Sequence, residues 1–254
     1  MAGKVFLIGA GPGDPDLVTL KAVNALKTAT VILLDDLVNR ETLKHAPTAR
    51  VIEVGKRGGC KSTPQSFINR MMIALAEQGE TVARLKGGDP FLFGRGGEEM
   101  LALREANIEV EVIPGITSGI AVPASLGIPV THRAYTHGVT FVTGHTQAGD
   151  SPNWKALVAG GTTLVIYMGM KHLPEIVTEL IAAGINRNMS AAAIQQGTLA
   201  DQRQVIAPIE MLPMAVKRGA LSSPAIIVVG EVVRLAQEER VSVDGLISAL
   251  AVAA

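Results

Sequence analysis

What the chain has little of narrows it first. Cys60 is its one cysteine, so no intrachain disulfide can form, which fits a reducing compartment. Aromatic residues make up 3% of the chain, too few for the stacking platforms that hold single-stranded nucleic acid. The formal net charge is zero and no basic block stands out, so a nucleic-acid partner is not expected. The longest apolar runs, such as residues 164–168 and 225–229, fall far short of the about 20 residues that cross a bilayer. Near the N-terminus, Lys4 and a short apolar run are broken by GAGPGDP too early for a signal peptide. The expectation is a soluble, cytoplasmic protein with no membrane partner.

Several chemistries lack their signatures. The histidines stand at 45, 132, 137, 145 and 172; none lies in HExxH, and no Cys/His cluster has zinc spacing, so no metal site is expected. There is no GxSxG elbow, Cys60 has no nucleophile signature around it, and no GxxxxGK[ST] loop is present. Covalent catalysis and nucleoside triphosphate binding lose their usual carriers.

What is there is aliphatic. The chain is 48% hydrophobic, mostly small and branched residues, which suits parallel strands covered by helices. Short apolar runs at 5–8, 31–34, 51–54, 81–85 and 110–113 read as strands. Helical stretches at 17–27, from Thr63-Pro64 to about Gln78, and at 98–107 separate them, with a run of small residues after PGITSG. Residues 127–138, GIPVTHRAYTHG, break this rhythm and read as a domain link. Beyond them, 139–143, 163–168, 191–195 and 225–229 read as strands, 173–183 and 209–217 as helices. The expected architecture is two α/β domains, residues 1–133 and 138–236, with mostly parallel or mixed sheets, a tail at 237–254, and a ligand cleft between the domains.

The loops at the strand ends are the unusual part. Residues 84–99, RLKGGDPFLFGRGGEE, lead from a strand to a helix and hold five glycines, a density that lets a ligand approach backbone closely. Asp89 offers an acceptor; Arg95 offers a fork for an anion, or a partner for Glu98 at i,i+3. GAGPGDPD at 9–16 starts like a dinucleotide fingerprint, with Asp35 and Asp36 the expected about 20 residues on. The fingerprint fails in detail. Asp14 replaces its third glycine, and Pro12 and Pro15 remove two N–H donors that a pyrophosphate needs. Further strand ends carry Asp35, Lys56, Thr117, Ser118, His145 and Met168. Each has an ordinary alternative: Asp35 as a cap, Lys56 as a solvated surface lysine, His145 as a core imidazole, Met168 as core filler. The residues alone support a two-domain α/β protein that binds a small ligand, with an enzyme as the favoured kind.

The motifs taken together go further. VFLIGAGPGDPDLVTLKAVNAL, DDLV, VGKRGG, RLKGGDPFLFGRGGEE, VIPGITSGIAVPASLGIPVTHR, VTGH, YMGM and SPAIIVVGEVV follow one another across nearly the whole chain. The set resembles the tetrapyrrole methylase family, and most closely those members that move methyl groups from S-adenosylmethionine to C2 and C7 of uroporphyrinogen III. That reaction gives precorrin-2 through precorrin-1, releases S-adenosylhomocysteine and feeds sirohaem, cobalamin or haem d1 synthesis. The resemblance implies two α/β domains with the site in the cleft between them, a homodimer, and no metal. It assigns cofactor contacts to Pro12, Gly87, Gly88, Asp89, Leu92, Thr117, Ser118, Met168 and Gly197. It assigns proton acceptance to Asp35 and proton donation to Lys56. It makes Arg95 catalytic, and gives Glu98, Arg133 and His145 to the tetrapyrrole. Asp36 beside Asp35 makes a role swap an option, and Gly197 stands where many members carry Ala. The alternatives are a methylase of a later precorrin and a tetrapyrrole-binding protein without catalysis.

Overall fold

The computed structural model of the protein describes residues 3–55, 63–144 and 151–236. The chain divides into two units, parting between Ala121 and Val122, with Gln196–Asp201 returning to the first.

The first unit is a five-stranded sheet with helices on both faces. Its elements are β1 (Lys4–Gly9), α1 (Leu20–Thr28), β2 (Val31–Leu34), β3 (Arg50–Glu53), α2 (Gln65–Glu77), β4 (Thr81–Lys86), α3 (Gly96–Glu105), β5 (Glu109–Ile113) and the start of α4 (Ser118–Ala124). The strand order is β3-β2-β4-β1-β5, and every pairing is parallel. Strand period two sorts the side chains. Phe6, Ile8, Ile32 and Leu34 meet Ala22, Ala25 and Leu26 of α1 on one face. Val5, Leu7, Val31, Leu33 and Val82 meet Ile68, Met72 and Leu75 of α2 and Leu103 of α3 on the other. Burying Leu7 or Ile8 completely contributes about 2 kcal/mol each.

The apolar pattern predicts a helix from residue 17, but α1 starts later. Asp14 Oδ1 accepts from Asp16 N and caps a short 3₁₀ turn at Pro15–Leu17; Val18 is then extended, and Thr19 caps α1 by accepting from Ala22 N.

Since all five strands are parallel, all five carboxyl ends share one edge. The chain leaves β1 toward α1 on one face and β4 toward α3 on the other. Neighbours β1 and β4 are therefore the topological switch point, where open α/β sheets bind ligands. Backbone converges tightly there. Gly11 and Gly88 exchange N–H···O bonds of 3.2 and 2.6 Å. A Cβ on Gly115 would lie 2.3 Å from Gly88 O and 2.8 Å from Gly9 Cα.

The second unit holds β6 (Val139–Thr143), α5 (Trp154–Ala159), β7 (Thr163–Tyr167), α6 (Leu173–Ala182), β8 (Ser190–Gln195), β9 (Arg203–Pro208), α7 (Leu212–Arg218) and β10 (Ala225–Val229). Its order is β6-β7-β10-β8-β9; β6 pairs with β7 in parallel and the other pairings are antiparallel. Helices α5, α6 and α7 cover one face. Val122, Leu126 and Ile128 cover the other, together with Val232 and Val233. This moves the boundary from the expected 133/138. Residues 122–128 are apolar at the right spacing to seal the second sheet, so they belong to that unit rather than to the first domain. Strand β9 and helix α5 were not expected from the sequence. β9 is a half-exposed edge strand ending in Pro208, and α5 is six residues long, capped by Asn153. The expected tail at 237–254 lies outside the described residues.

The convergence of glycines yields a contrast. Gly115→Ala drives a Cβ into backbone that cannot retreat and is expected to cost about 1–3 kcal/mol. Gly97→Ala, in the first turn of α3 with nothing within 4 Å of its Cβ, is expected to gain about 0.4–1 kcal/mol. Urea unfolding of the two variants checks both signs.

Candidate active site

The loops beyond the strand ends of the first unit are laced together. The β1 loop is tied to the β4 loop by the Gly11–Gly88 pair, and to the β2 loop by Asn39 Nδ2, which donates to Gly13 O at 3.0 Å. Asp89 ties β4 to β5. Its Oδ1 accepts from Phe91 N (2.8 Å) and Leu92 N (3.2 Å), and its Oδ2 accepts from Gly115 N (3.1 Å). The returning segment joins the same edge: Asp14 N donates to Thr198 Oγ1 at 3.0 Å, and a Cβ on Gly13 would touch Leu199. Pro12, Gly87, Gly88, Asp89, Leu92, Thr117, Ser118 and Gly197, drawn from four distant stretches, thus lie on one edge of one unit. Ser118 Oγ would be 3.6 Å from a Cβ on Gly88.

Asp35 follows β2 on this edge, its amide bonded to Leu85 O at 3.0 Å and its side chain one-third exposed. A depression of about 200 Å³ at the ends of β2 and β3 is lined by Asp35, Asp36, Arg40, Glu53 and Gly55. Arg95 caps α3 in the left-handed region (φ 58°). Its Nε donates to Glu98 Oε1 at 2.9 Å and its Nη2 to Glu98 Oε2 at 2.6 Å, with both side chains about half exposed. The hydrogen bond from Arg95 holds the Glu98 carboxyl below its usual range, and the bond to Glu98 raises Arg95 further. The ordinary i,i+3 alternative is therefore present. An incoming anion would have to exchange with Glu98 for the same fork.

Beneath this edge lies a charge cluster. Glu99 is fully buried, and its Oε1 accepts from Arg84 Nε (3.0 Å), Lys86 Nζ (3.1 Å) and Gln65 Nε2 (3.0 Å). Arg84 Nη1 donates to Leu33 O at 3.4 Å, and Nη2 stands 3.7 Å from Asp35 Oδ1. Burial pushes the Lys86 ammonium below its ordinary value and the Arg84 charge pushes the same way, while Glu99 and Asp35 oppose.

Among the described residues no group of three His, Cys, Asp or Glu can hold a metal ion, and no helix is long and apolar enough to cross a membrane.

The family model of Tetrapyrrole (Corrin/Porphyrin) Methylases matches residues 4–213. The chain belongs to this family. It is 52% identical over 234 residues to a uroporphyrinogen-III C-methyltransferase of Pseudomonas aeruginosa, covering 92% of this chain and 96% of the relative. Among solved structures it resembles uroporphyrin-III C-methyl transferase of Thermus thermophilus complexed with S-adenyl homocysteine, with TM-score 0.79, 38% identity, and coverage of 92% and 100%. It also resembles a cobalamin biosynthetic enzyme, cobalt precorrin-4 methyltransferase, with TM-score 0.81 but 26% identity, covering 91% and 95%.

The remaining expected residues of this methylase are placed elsewhere. Met168 follows β7 in the second unit, left-handed (φ 54°) and about half exposed, so it is not core filler. Arg133 is exposed in a turn of the second unit that His132 O closes by accepting from Tyr135 N and Thr136 N. Lys56 and His145 lie outside the described residues.

Sequence reasoning passed over Arg84, Lys86, Glu99 and Gln65. A signal was available: Arg84 and Lys86 stand at i and i+2 in a strand flanked by the apolar runs 5–8 and 31–34, so both share a face of a buried strand and need an anion. Glu99 reads as a helix-start acid, which hid its role.

Glu99→Ala leaves two cations buried without their carboxylate and is expected to cost about 3–5 kcal/mol in urea unfolding. Lys86 gives a pH test. Its folded value is lowered, so between that value and the unfolded value of about 10.4 the unfolded chain binds more protons and stability rises with pH. The unfolding free energy of the wild type relative to Lys86→Met is expected to increase as pH is raised from 8 toward 10; a flat difference would contradict a depressed Lys86.

Proposed function

We propose that the chain is an S-adenosylmethionine-dependent C-methyltransferase that methylates uroporphyrinogen III at C2 and C7 to give precorrin-2 by way of precorrin-1, releasing S-adenosylhomocysteine. The near-full-length likeness to the Pseudomonas enzyme carries the reading.

The edge loops suit that cofactor on chemical grounds. Residues 9–14, 87–92, 114–118 and 196–201 contain Asp14, Asp89 and Asp201 and neither lysine nor arginine. A phosphate-bearing ligand would find a proline-poor loop of N–H donors and cations, and these loops offer the opposite. A sulfonium with ribose hydroxyls and no phosphate finds acids, the hydroxyls of Thr117 and Ser118, and loops packed backbone to backbone where a Cβ would clash at Gly9 and Gly115. Gly87, Gly88, Asp89 and Leu92 bound the cofactor seat in this reading, with Pro12, Thr117, Ser118 and Gly197 around it; the family resemblance adds Met168 as a cofactor contact. When bound, the cofactor supplies an electrophilic methyl group.

The chain's own residues have the remaining tasks. Asp89 spends its carboxylate on three backbone N–H groups and so shapes the seat. Asp35, fixed by its backbone and open to solvent on one side, accepts the proton that the macrocycle gives up; Lys56 is the donor. The substrate is a polycarboxylate, and Arg95, released from Glu98, and Arg133 pair with its acid groups, with His145 as a further contact. Homodimerisation and a cytoplasmic setting belong to the same proposal.

The test is an anaerobic incubation of the purified protein with uroporphyrinogen III and S-adenosylmethionine, read by product mass. A gain of two methyls passing through one is expected. Cofactor binding without methylation would redirect the reading to a later precorrin; absence of binding would end it. Arg95→Ala is expected to lower turnover at least about tenfold, ~1.4 kcal/mol, while S-adenosylhomocysteine affinity by calorimetry stays within about twofold. Asp89→Ala is expected to weaken that affinity at least about tenfold, because three backbone N–H groups lose their acceptor.

A further inference from the structure

The charge cluster under the switch point is costly to build. Arg84, Lys86 and Glu99 have side chains between 0% and 4% exposed, and taking such charges from water costs several kcal/mol per ion before pairing offsets it. Buried ion networks are poor stabilisers compared with apolar packing, so stability alone is a weak reason for this one. Its position is more informative. The three enclosed residues end on one member that reaches solvent, Asp35, and Arg84 makes that connection.

Arg84 is hydrogen-bonded at two points of one rigid plane and faces a carboxylate with a third. Nε bonds to Glu99 Oε1, Nη1 to Leu33 O, and Nη2 faces Asp35 Oδ1 at 3.7 Å. The guanidinium fork is planar and cannot bend, so fixing Nε fixes the direction of Nη2. Glu99 sits on α3 between Gln65 of α2 and Lys86 of β4, with its Oε1 shared by all three donors. Among the described residues, Arg84 is the ionic partner of the Asp35 side chain.

We propose that Glu99 is a positioning residue for Asp35: acting through Arg84, it sets the direction of the Asp35 carboxylate at the end of β2. The inference rests on the reading of Asp35 as the proton acceptor. Glu99 does not touch substrate or cofactor, and its influence on turnover passes through the arginine. Lys86 donates to the same Glu99 oxygen, and its own charge is offset by Glu99 and Asp35 together.

A double-mutant cycle on the full chain tests this, with Glu99→Gln, Asp35→Asn and the pair. The amide keeps the size of Glu99 and one acceptor oxygen but loses the charge that holds the fork. Turnover number and KM for uroporphyrinogen III are measured, with S-adenosylhomocysteine affinity by calorimetry and melting temperature as a check on folding. Glu99→Gln is expected to lower turnover number about tenfold, the scale of a small misplacement, with KM and cofactor affinity within about twofold. In the Asp35→Asn background it is expected to cause no further loss. Arg84→Lys, which keeps the charge but cannot span both carboxylates, is expected to reproduce this behaviour and carries the same cycle if Glu99→Gln does not fold. Equal losses in both backgrounds would overturn the proposal, as would wild-type turnover in Glu99→Gln beside an impaired Asp35→Asn. Wild-type turnover in Asp35→Asn would instead end the reading of Asp35 itself, and the inference with it.

Discussion

The first unit is organised around one oxygen atom. Oε1 of Glu99 accepts from Arg84, Lys86 and Gln65 in the interior, and so joins α3, β4 and α2 at a single point below the strand ends. Strand β4 is central in a parallel sheet, where both faces are normally apolar. It tolerates Arg84 and Lys86 because α3 begins within reach and brings the carboxylate with it. The tight loop 87–95 makes that possible. Gly96 N donates to Pro90 O at 2.9 Å, and Arg95 takes a left-handed conformation to turn the chain into the helix. The glycine-rich loop and the buried ion cluster are thus one device, in which the loop sets the helix start and the helix start brings the carboxylate that Arg84 and Lys86 share.

Above that device the strand ends are held without large side chains. Gly9, Gly88 and Gly115 bring three loops into backbone contact, and Asp89 bonds across two of them. Such an edge is preorganised, because its carbonyls and amides already bond to each other. Residues 9–14, 87–92, 114–118 and 196–201 bring it hydroxyls, acids and glycines with neither lysine nor arginine, a composition that suits a cation without phosphate. The failed dinucleotide fingerprint at 9–16 makes the same point from the other side. Pro12 and Pro15 are absent donors, and Asp14 spends its side chain on a 3₁₀ turn and its amide on Thr198.

Much of this was legible in the sequence. The strands of the first unit follow from short apolar runs ended by glycine or aspartate, and their parallel order brings Pro12, Gly87–Asp89, Thr117 and Ser118 together as the motifs imply. Other parts were hidden for definite reasons. Residues 122–128 read as the end of the first domain because an apolar run does not reveal which sheet it seals. Gly197 reached the first unit through Gln196–Asp201, a return of six residues that periodicity cannot register. β9 has the weak pattern of an edge strand. The buried cluster escaped because charges near a glycine-rich loop invite a solvated reading, although strand alternation forces Arg84 and Lys86 inside.

The two carboxylates that open α3 show how neighbouring residues take different work. Glu98 points outward and holds Arg95 in a solvent-exposed bidentate pair, a contact of modest strength that an incoming polyanion can exchange. Glu99, one residue on and rotated about 100° around the helix, is fully buried and holds Arg84 where no solvent competes. One arginine is therefore releasable and the other fixed. In the proposed reading a polycarboxylate enters and a base is aimed, and α3 would serve both from consecutive positions because the helical step turns one side chain to water and the next to the sheet.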